Sequence, residues 1–415
     1  MRIIHVYDGH ERVFPGEGST PSVVYYVAKY TAKKGYDVTV LERRWKDLPY
    51  EEEIEGIKFI RYDVNVCSNI SNKELPHDAI KNPFKLSKFI LDRFIFALKA
   101  NKYLKENNFD IIHVHVPFAA NFLIHLNKSL RNKMVYTAHI GQEEIRLPNL
   151  VKDKSAKPPI LLRILSPDWH LMKRIAKITV MHEGLAKKLV QCGFREVNVH
   201  VIPHGIDLAD FDNIDSSKIK NVQERFISND KVNILFATTV TPHKGVEYLV
   251  KAANILINKH GLDIRFILAG ETNIDEEFVE KIQRYIERNG LTENVIFTGF
   301  LPYEDLKALY LLSDIFVYPL LGYGGVAICL LEAMTASLPI IATNIGGLST
   351  QVKDGWNGFL VEPRNEKQLA DKIRYLVEND EIRKEMGENS RKLVEKEFSW
   401  EKIAEKYVKV YKKLI

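Results

Sequence analysis

The chain has 415 residues, more than a single hydrophobic core usually organises, so two domains are expected. With 46% hydrophobic and 27% charged residues and only 22 Gly and 16 Pro, extensive disorder is excluded and sizeable cores are predicted. The formal charge of +5 is too mild to imply nucleic acid, and three scattered cysteines (Cys67, Cys192, Cys329) without a C-x-x-C exclude a disulfide framework or structural zinc site. A reducing cytoplasm is expected. "MRIIHVYDGH" lacks the apolar core of a signal peptide, and no 18 apolar residues run together, so neither export nor a membrane span is predicted.

In chain order, short β-branched or apolar runs alternate with helix-length amphipathic segments, the pattern of parallel sheets wound with helices on both faces. Strand "RIIHVY" (2–7) leads through "DGHERVFPGEGS" to a helix with Thr20 as N-cap, Pro21 in its first turn and Gly35 as its stop. Strands "DVTVLE", "IKFIRY" (57–62), "DIIHVHV" (110–116), "MVYTAH" (134–139), "ITVM" (178–181) and "VHVIP" (199–203) complete one doubly wound domain. After the charged stretch from Asp207 to Lys231 the alternation restarts with "VNILFAT", "DIRFILAG", "NVIFTG", "DIFVYP" and "PIIAT", each followed by a helical segment. A second domain of the same architecture is predicted.

Residues 81–105 carry Lys81, Lys85, Lys88, Arg93, Lys99, Lys102 and Lys105 against Asp92 alone, with Phe84, Phe89, Phe94, Phe96 and Tyr103 interleaved. A helix lying on an anionic membrane surface has this mix. The favoured reading is a helix packed on a sheet through Phe89, Ile90, Leu91, Phe94, Ile95 and Leu98, with a solvated basic face.

Ligands of wound sheets bind at the carboxyl ends of strands, where helix N-termini present unpaired N–H groups. After "DIFVYP" comes "LLGYGG" and then a helix expected from Val326, so the N–H groups of Gly325, Val326 and Ala327 are candidates to cradle a phosphate. Gly324 and Gly325 carry no Cβ and allow close approach. Glu332 lies two helical turns beyond Gly325, on the same face, and is suited to accept from the paired hydroxyls of a ribose; its apolar neighbours disfavour a plain surface glutamate. Lys244, in "TTVTPHKG" just before a helix, is unfavourable to the helix dipole and so points to an anion. In the first domain "FPGEGSTP" supplies a second glycine rim through Gly16 and Gly18, expected to face the other across a cleft.

His113 and His115 alternate on one strand face, and with no third ligand nearby in sequence they read as cleft-lining or packing groups before a metal pair. Asp210 and Asp212 spell D-x-D in an interdomain segment and are not read as a metal–nucleotide signature. There is no P-loop, nucleophile elbow or H-E-x-x-H.

The succession "GEGSTPSVVYYVAKYTAKKGYDVTVL", "FDIIHVHV", "VYTAH", "VIPHGIDLADF", "TPHKGVEYLVKAA", "VIFTGFLPYEDLKALYLLSDIFVYP", "LLEAMTASLPIIATNIGGLSTQVKDGWNGFLVEP" and "FSWEKIAEKY" resembles glycosyltransferase group 1, also called family 4, over nearly the whole chain. The resemblance implies a GT-B fold, two doubly wound Rossmann-like domains facing across a cleft. Residues 1–206 would bind the acceptor, 207–398 the nucleotide sugar, and 399–415 would form a helix crossing back. It implies a nucleotide-activated sugar donor, transfer with retention, and neither metal nor other cofactor. By the same resemblance Lys244 contacts the donor diphosphate, Glu332 the ribose and His139 the sugar. The turn holding Thr298, Phe300 and Leu301 reads the base, and Gly16, Gly18 and His115 belong to the acceptor side.

Two positions depart from the family. Gly324 stands where a second glutamate is usual, and Thr238 and Thr239 stand where a Gly-Arg pair is usual. Loss of one preorganised cation costs about 10²–10³ in rate, against accelerations of roughly 10⁶ or more; His243, Arg12 and Arg265 are candidate substitutes. The expected function is sugar transfer to a glycolipid, polysaccharide or small molecule, in cell-surface glycan synthesis, by a cytoplasmic protein, with peripheral membrane contact as the second reading of residues 81–105. The alternative is a catalytically degenerate subunit that binds a nucleotide sugar or a partner.

Overall fold

The computed structural model describes all residues except 46, 65, 67–82, 140–165, 213 and 323–325. The chain divides into two compact units, Met1–Pro203 with Trp400–Ile415, and His204–Ser399. The division therefore falls three residues before position 206.

The first unit contains β1 (Arg2–Val6), α1 (Ser19–Lys33), β2 (Asp37–Arg43), β3 (Glu51–Ile54), β4 (Ile57–Tyr62), α2 (Pro83–Glu106), β5 (Ile111–Val114), α3 (Pro117–Leu126), β6 (Met134–Ala138), α4 (Pro167–Met172), β7 (Lys177–Val180), α5 (Glu183–Gln191) and β8 (Val199–Val201). Its sheet runs β3-β4-β2-β1-β5-β6-β7-β8. Every pairing is parallel except the hairpin of β3 on β4. Strand β3 is an addition to the expected set: "EEEI" has no apolar run to betray it, and its charges suit an exposed sheet edge. Glu55 and Gly56, both at positive φ, make the two-residue turn that closes the hairpin. Helix α1 starts at Ser19 with Gly18, not Thr20, as its N-cap; Ser22 N–H donates to the Gly18 carbonyl.

The second unit contains α6 (Ser216–Phe226), β9 (Val232–Ala237), α7 (Val246–Asn254), β10 (Ile264–Ala269), α8 (Glu276–Arg288), β11 (Val295–Gly299), α9 (Tyr303–Leu312), β12 (Ile315–Tyr318), α10 (Ile328–Thr335), β13 (Ile340–Thr343), α11 (Leu348–Gln351), β14 (Gly358–Val361), α12 (Glu366–Glu378) and α13 (Asp380–Glu397). Its sheet is wholly parallel in the order β11-β10-β9-β12-β13-β14. The order reverses between β9 and β12, which makes their carboxyl ends the switch point where wound sheets take ligands. Strand β14 was also absent from the sequence expectation. It opens at Gly358, where a Cβ would stand 1.9 Å from the Ile340 carbonyl oxygen, so strand pairing there demands glycine.

The last helix, α14 (Trp400–Tyr411), belongs to the first unit. Trp400, Ile403, Ala404, Tyr407, Val408 and Tyr411 recur at helical spacing and are buried. They pack with Ile3, Val23, Val27, Ile111 and Val135, and Trp400 stacks on Tyr26 with ring centroids 5.1 Å apart.

Candidate active site

In the second unit, β9 ends at Ala237 and the chain turns through Thr238 and Thr239 into a short 3-10 turn, Pro242–Lys244, before α7. Gly245, at φ +78, joins the two, and a Cβ on it would stand 1.8 Å from the Pro319 carbonyl oxygen. This close approach lets the loop after β12 lie directly against the loop after β9. Leu321 N–H donates to the His243 carbonyl at 2.9 Å, and Thr343 Oγ1 donates to the Leu320 carbonyl at 2.7 Å. Lys244 is held there by Tyr318, the last residue of β12, whose hydroxyl lies 3.3 Å from Nζ. Burial lowers the Lys244 pKa.

Glu332 comes to the same place. Only 8% exposed, it is no surface carboxylate. Burial raises its pKa, while hydrogen bonds from the Tyr310 and Tyr303 hydroxyls act in the opposite sense; Tyr310 Oη donates to Oε2 at 2.9 Å. Both charges act on Cys329: burial, with Glu332 adding, pushes its thiol up to about 12, and Lys244 opposes the shift. The structure thus gathers Lys244, Tyr318, Cys329, Glu332 and Tyr310 beyond the β9–β12 switch point.

The phosphate cradle expected at Gly325–Ala327 needs correction. Helix α10 begins at Ile328, two residues later than Val326, so Glu332 is little more than one turn from its start. Ala327 N–H is already given to Gln351 Oε1 at 2.8 Å, and Gln351 Nε2 returns a bond to the Ala327 carbonyl at 2.8 Å. A buried glutamine from α11 therefore pins the helix entrance, and the Val326 side chain is buried in the core. The N–H groups of the first helical turn, Ile328 to Leu330, lack backbone acceptors within the helix. Gly324 and Gly325 lie outside the described residues.

Thr239 is half-buried at this edge. Thr298 Oγ1 folds back onto the Gly299 carbonyl at 2.8 Å. Phe300 is 70% exposed, whereas Leu301 points into the core and offers only backbone. Among the suggested substitutes, Arg265 is excluded: it stands at the start of β10, the far end of the sheet, and bonds the Phe226 carbonyl at 3.4 Å. His243 Nδ1 pairs with Thr241 Oγ1 at 3.1 Å, and burial and then Lys244 lower its pKa, so it is neutral at pH 7. Arg12, in the first unit, lies over the Phe14 ring.

In the first unit, Gly16 (φ +84) and Gly18 (φ +149) shape the loop after β1. The parallel register sets His5 of β1 beside His113 of β5, and His115 and His139 follow on the same face. His113 is bound on both nitrogens, to Thr137 Oγ1 at 2.6 Å and to Tyr411 Oη at 2.7 Å. His5, which no spacing pattern singles out, bonds His115, and His115 bonds His139.

The family models now decide the identity. The one for glycosyl transferases group 1 matches residues 217–393, and the one for Glycosyltransferase Family 4 matches residues 21–210. This chain belongs to the group 1 glycosyltransferases. An uncharacterised glycosyltransferase of Methanocaldococcus jannaschii is 26% identical over 93% of this chain and 92% of its own. Sucrose-phosphate synthase from Thermosynechococcus elongatus shares the fold at a TM-score of 0.75 and 20% identity, covering 100% of this chain and 99% of its own. The Anabaena protein HepE, solved with UDP-glucose, does so at 0.67 and 17%, covering both chains fully. The fold is therefore GT-B.

In this glycosyltransferase one histidine group among the described residues has metal-like spacing: His5, His113 and His115 bring ligand nitrogens within 4.8 Å of one another. The third ligand missing from the sequence reading is thus His5, supplied by strand register. Both His113 nitrogens are bonded elsewhere, and His5 and His115 bond each other, so the donor set is a hydrogen-bonded network and not a poised cage. In the D-x-D pair the Asp210 carbonyl accepts from Lys307 while its charge acts on Glu332, and Asp212 pairs with Arg391 at 3.7 Å.

The basic helix of the glycosyltransferase is α2, which is buried along Phe89, Asp92, Arg93, Phe96, Ala97 and Leu104. Arg93 is thereby corrected from a surface cation to a core residue, 2% exposed. Ile90, Leu91 and Leu98, expected to pack, face outward with Phe84. Among the described residues, no helix is long and apolar enough to cross a membrane.

Proposed function

We propose that this glycosyltransferase takes its sugar from a nucleoside diphosphate donor bound by the second unit and passes it, with retention and without a metal, to an acceptor bound by the first. The observation that carries the reading is that Lys244, held by Tyr318 at the end of β12, and Glu332 of α10 both act on the Cys329 thiol, beside the switch point of one parallel sheet. Lys244 and the first turn of α10 would neutralise the charge growing on the leaving diphosphate, the term that dominates such catalysis. Glu332, with Oε2 taken by Tyr310, keeps acceptor capacity for ribose hydroxyls. The turn from Thr298 to Leu301 would meet the base, and His139 would hydrogen-bond the sugar. HepE, a structural relative bound to UDP-glucose, supports a donor of this class.

Glu332→Ala is the test for the donor site. Losing a charged acceptor costs about 1.5–3 kcal/mol, so affinity for nucleoside diphosphate should fall roughly 10- to 100-fold in calorimetric titration. Unchanged affinity in a folded variant would remove Glu332 from the site. A subunit that binds without transferring, the reading to which Thr239 in place of the family arginine points, would share this result and is separated by turnover.

For the acceptor side we propose that α2 rests on an anionic membrane surface, which suits a lipid-linked acceptor. Phe84, Leu91 and Leu98, seven residues apart, form an exposed apolar stripe with Ile90 beside it, and exposed Lys88, Lys99, Lys102 and Lys105 flank them. Phe84 is 67% exposed on this face. Apolar insertion plus attraction to anionic lipid is the chemistry of an interfacial helix. Co-sedimentation with vesicles containing phosphatidylserine should be strong at low salt, weaken as salt rises and fall when Lys88, Lys99 and Lys102 become Gln. Absence of binding at low salt would favour an acceptor free in solution.

A further inference from the structure

Three histidine rings run in series through the first unit. His5 Nδ1 lies 3.1 Å from His115 Nε2, and His115 Nδ1 lies 3.2 Å from His139 Nε2. Strand register and side-chain alternation fix this order, since His5 pairs with His113, and His113 pairs with Val135 four residues before His139. His113 braces the series without joining it: its ring centroid is 4.0 Å from that of His115, and its nitrogens are bonded to Thr137 and Tyr411. His5 and His115 are fully buried, and burial pushes His5 down to about 3 and His115 well below 6.5, so both are neutral at pH 7.

A neutral imidazole has one N–H and one bare nitrogen. Two bonds in series therefore admit two proton arrangements. If the N–H groups point inward, from His139 towards His5, then His5 Nε2 must carry a proton. If they point outward, His5 Nε2 is bare and His139 receives a bond on Nε2. Among the described residues, the buried His5 Nε2 has no hydrogen-bond partner. An orphaned buried N–H is the rarer of the two defects, so the outward arrangement is preferred.

We infer that His5 and His115 are positioning residues that hold His139 in one tautomer, with its proton on Nδ1, so that this nitrogen is a hydrogen-bond donor and not a base. The donor role rests on the placement of His139 at the sugar proposed above; the tautomer does not. Only polar atoms of β1, the residue just past β5, and the residue just past β6 are needed, so the device is complete within the first unit.

The test is the ring nitrogen spectrum of the full chain labelled with 15N-histidine, recorded at neutral pH, with the His139 signals identified by their loss in His139→Asn. The expected result is a protonated Nδ1 and a bare Nε2 on His5, His115 and His139 alike. A protonated Nε2 on His139 overturns the inference, and this reading needs no other variant to fold. In His115→Phe the His139 ring should lose its single tautomer, and in His115→Asn, whose amide N–H stands near the place of Nδ1–H, it should regain it. Sugar transfer should fall about tenfold or more in the first and return to within about threefold in the second, as expected when an imidazole loses and regains its orienting partner. Affinity for nucleoside diphosphate should stay constant in both. A fixed Nδ1–H tautomer with transfer indifferent to His115→Phe would contradict the placement of His139 at the sugar and leave the tautomer assignment standing.

Discussion

Lys244→Ala should lower the turnover of sugar transfer by about 10²-fold or more, the cost of deleting a preorganised cation from a site where negative charge develops. The lysine is placed by three features of the chain at once. The 3-10 turn Pro242–Lys244 sets its backbone, Gly245 brings that turn against Pro319, and the Tyr318 hydroxyl holds the ammonium. Its half-buried position lowers its pKa, so part of its hydration is already gone before a diphosphate arrives. Thr239 stands where the family arginine would share the charge, and Arg265 begins β10 at the far end of the sheet. The load therefore falls on Lys244 and the first turn of α10. The measurement is nucleoside diphosphate release at saturating donor; a loss of less than about threefold would assign the charge stabilisation elsewhere.

Arg93→Ala should destabilise the first unit by about 3–5 kcal/mol, the usual result of removing one member of a buried ion cluster. Arg93 Nε lies 3.3 Å from Asp8 Oδ2, Nη1 lies 3.0 Å from Asp92 Oδ2 and Nη2 lies 2.8 Å from His10 Nε2. Asp92 also binds Arg43, and Asp8 also accepts from Ala119 N–H at 3.0 Å, so the cluster ties α2 and the start of α3 to the loop after β1. Burial already raises the Asp8 pKa, and Arg93 is the largest influence opposing that shift. Without the guanidinium a buried carboxylate loses its chief counter-charge. Urea unfolding of wild type and variant measures the loss; a difference below about 1 kcal/mol would mean that Arg43 and water replace Arg93.

These two residues show how unevenly the molecule can be read from its sequence. Lys244 was legible because a cation before a helix contradicts the dipole, and that contradiction is local. Arg93 was grouped with the lysines of the same helix, since Asp8 and His10 lie more than 80 positions away and no spacing rule joins them to it. The wound sheets were legible from runs such as "VNILFAT", while β3, written in glutamates, and β14, opened by a glycine under close approach, were not. In the candidate site of the second unit Glu332 could be named, but its partners Tyr310 and Tyr303 come from α9, and Gln351, which takes Ala327 N–H, comes from α11. In the first unit His113 and His115 announced themselves by alternation. His5 joined them only through the register of β1 on β5.

In the function proposed above, the second unit delivers a sugar from a nucleotide through Lys244. Its most direct test is a panel of nucleotide sugars offered to the full chain and to Lys244→Ala, with and without lipid and polysaccharide acceptors, measuring nucleoside diphosphate release. Acceptor-dependent release from at least one donor is expected of the wild type, insensitive to chelators, and about 10²-fold slower in the variant. Equal rates for the two proteins on every donor would contradict it and leave a protein that binds its nucleotide without transferring the sugar.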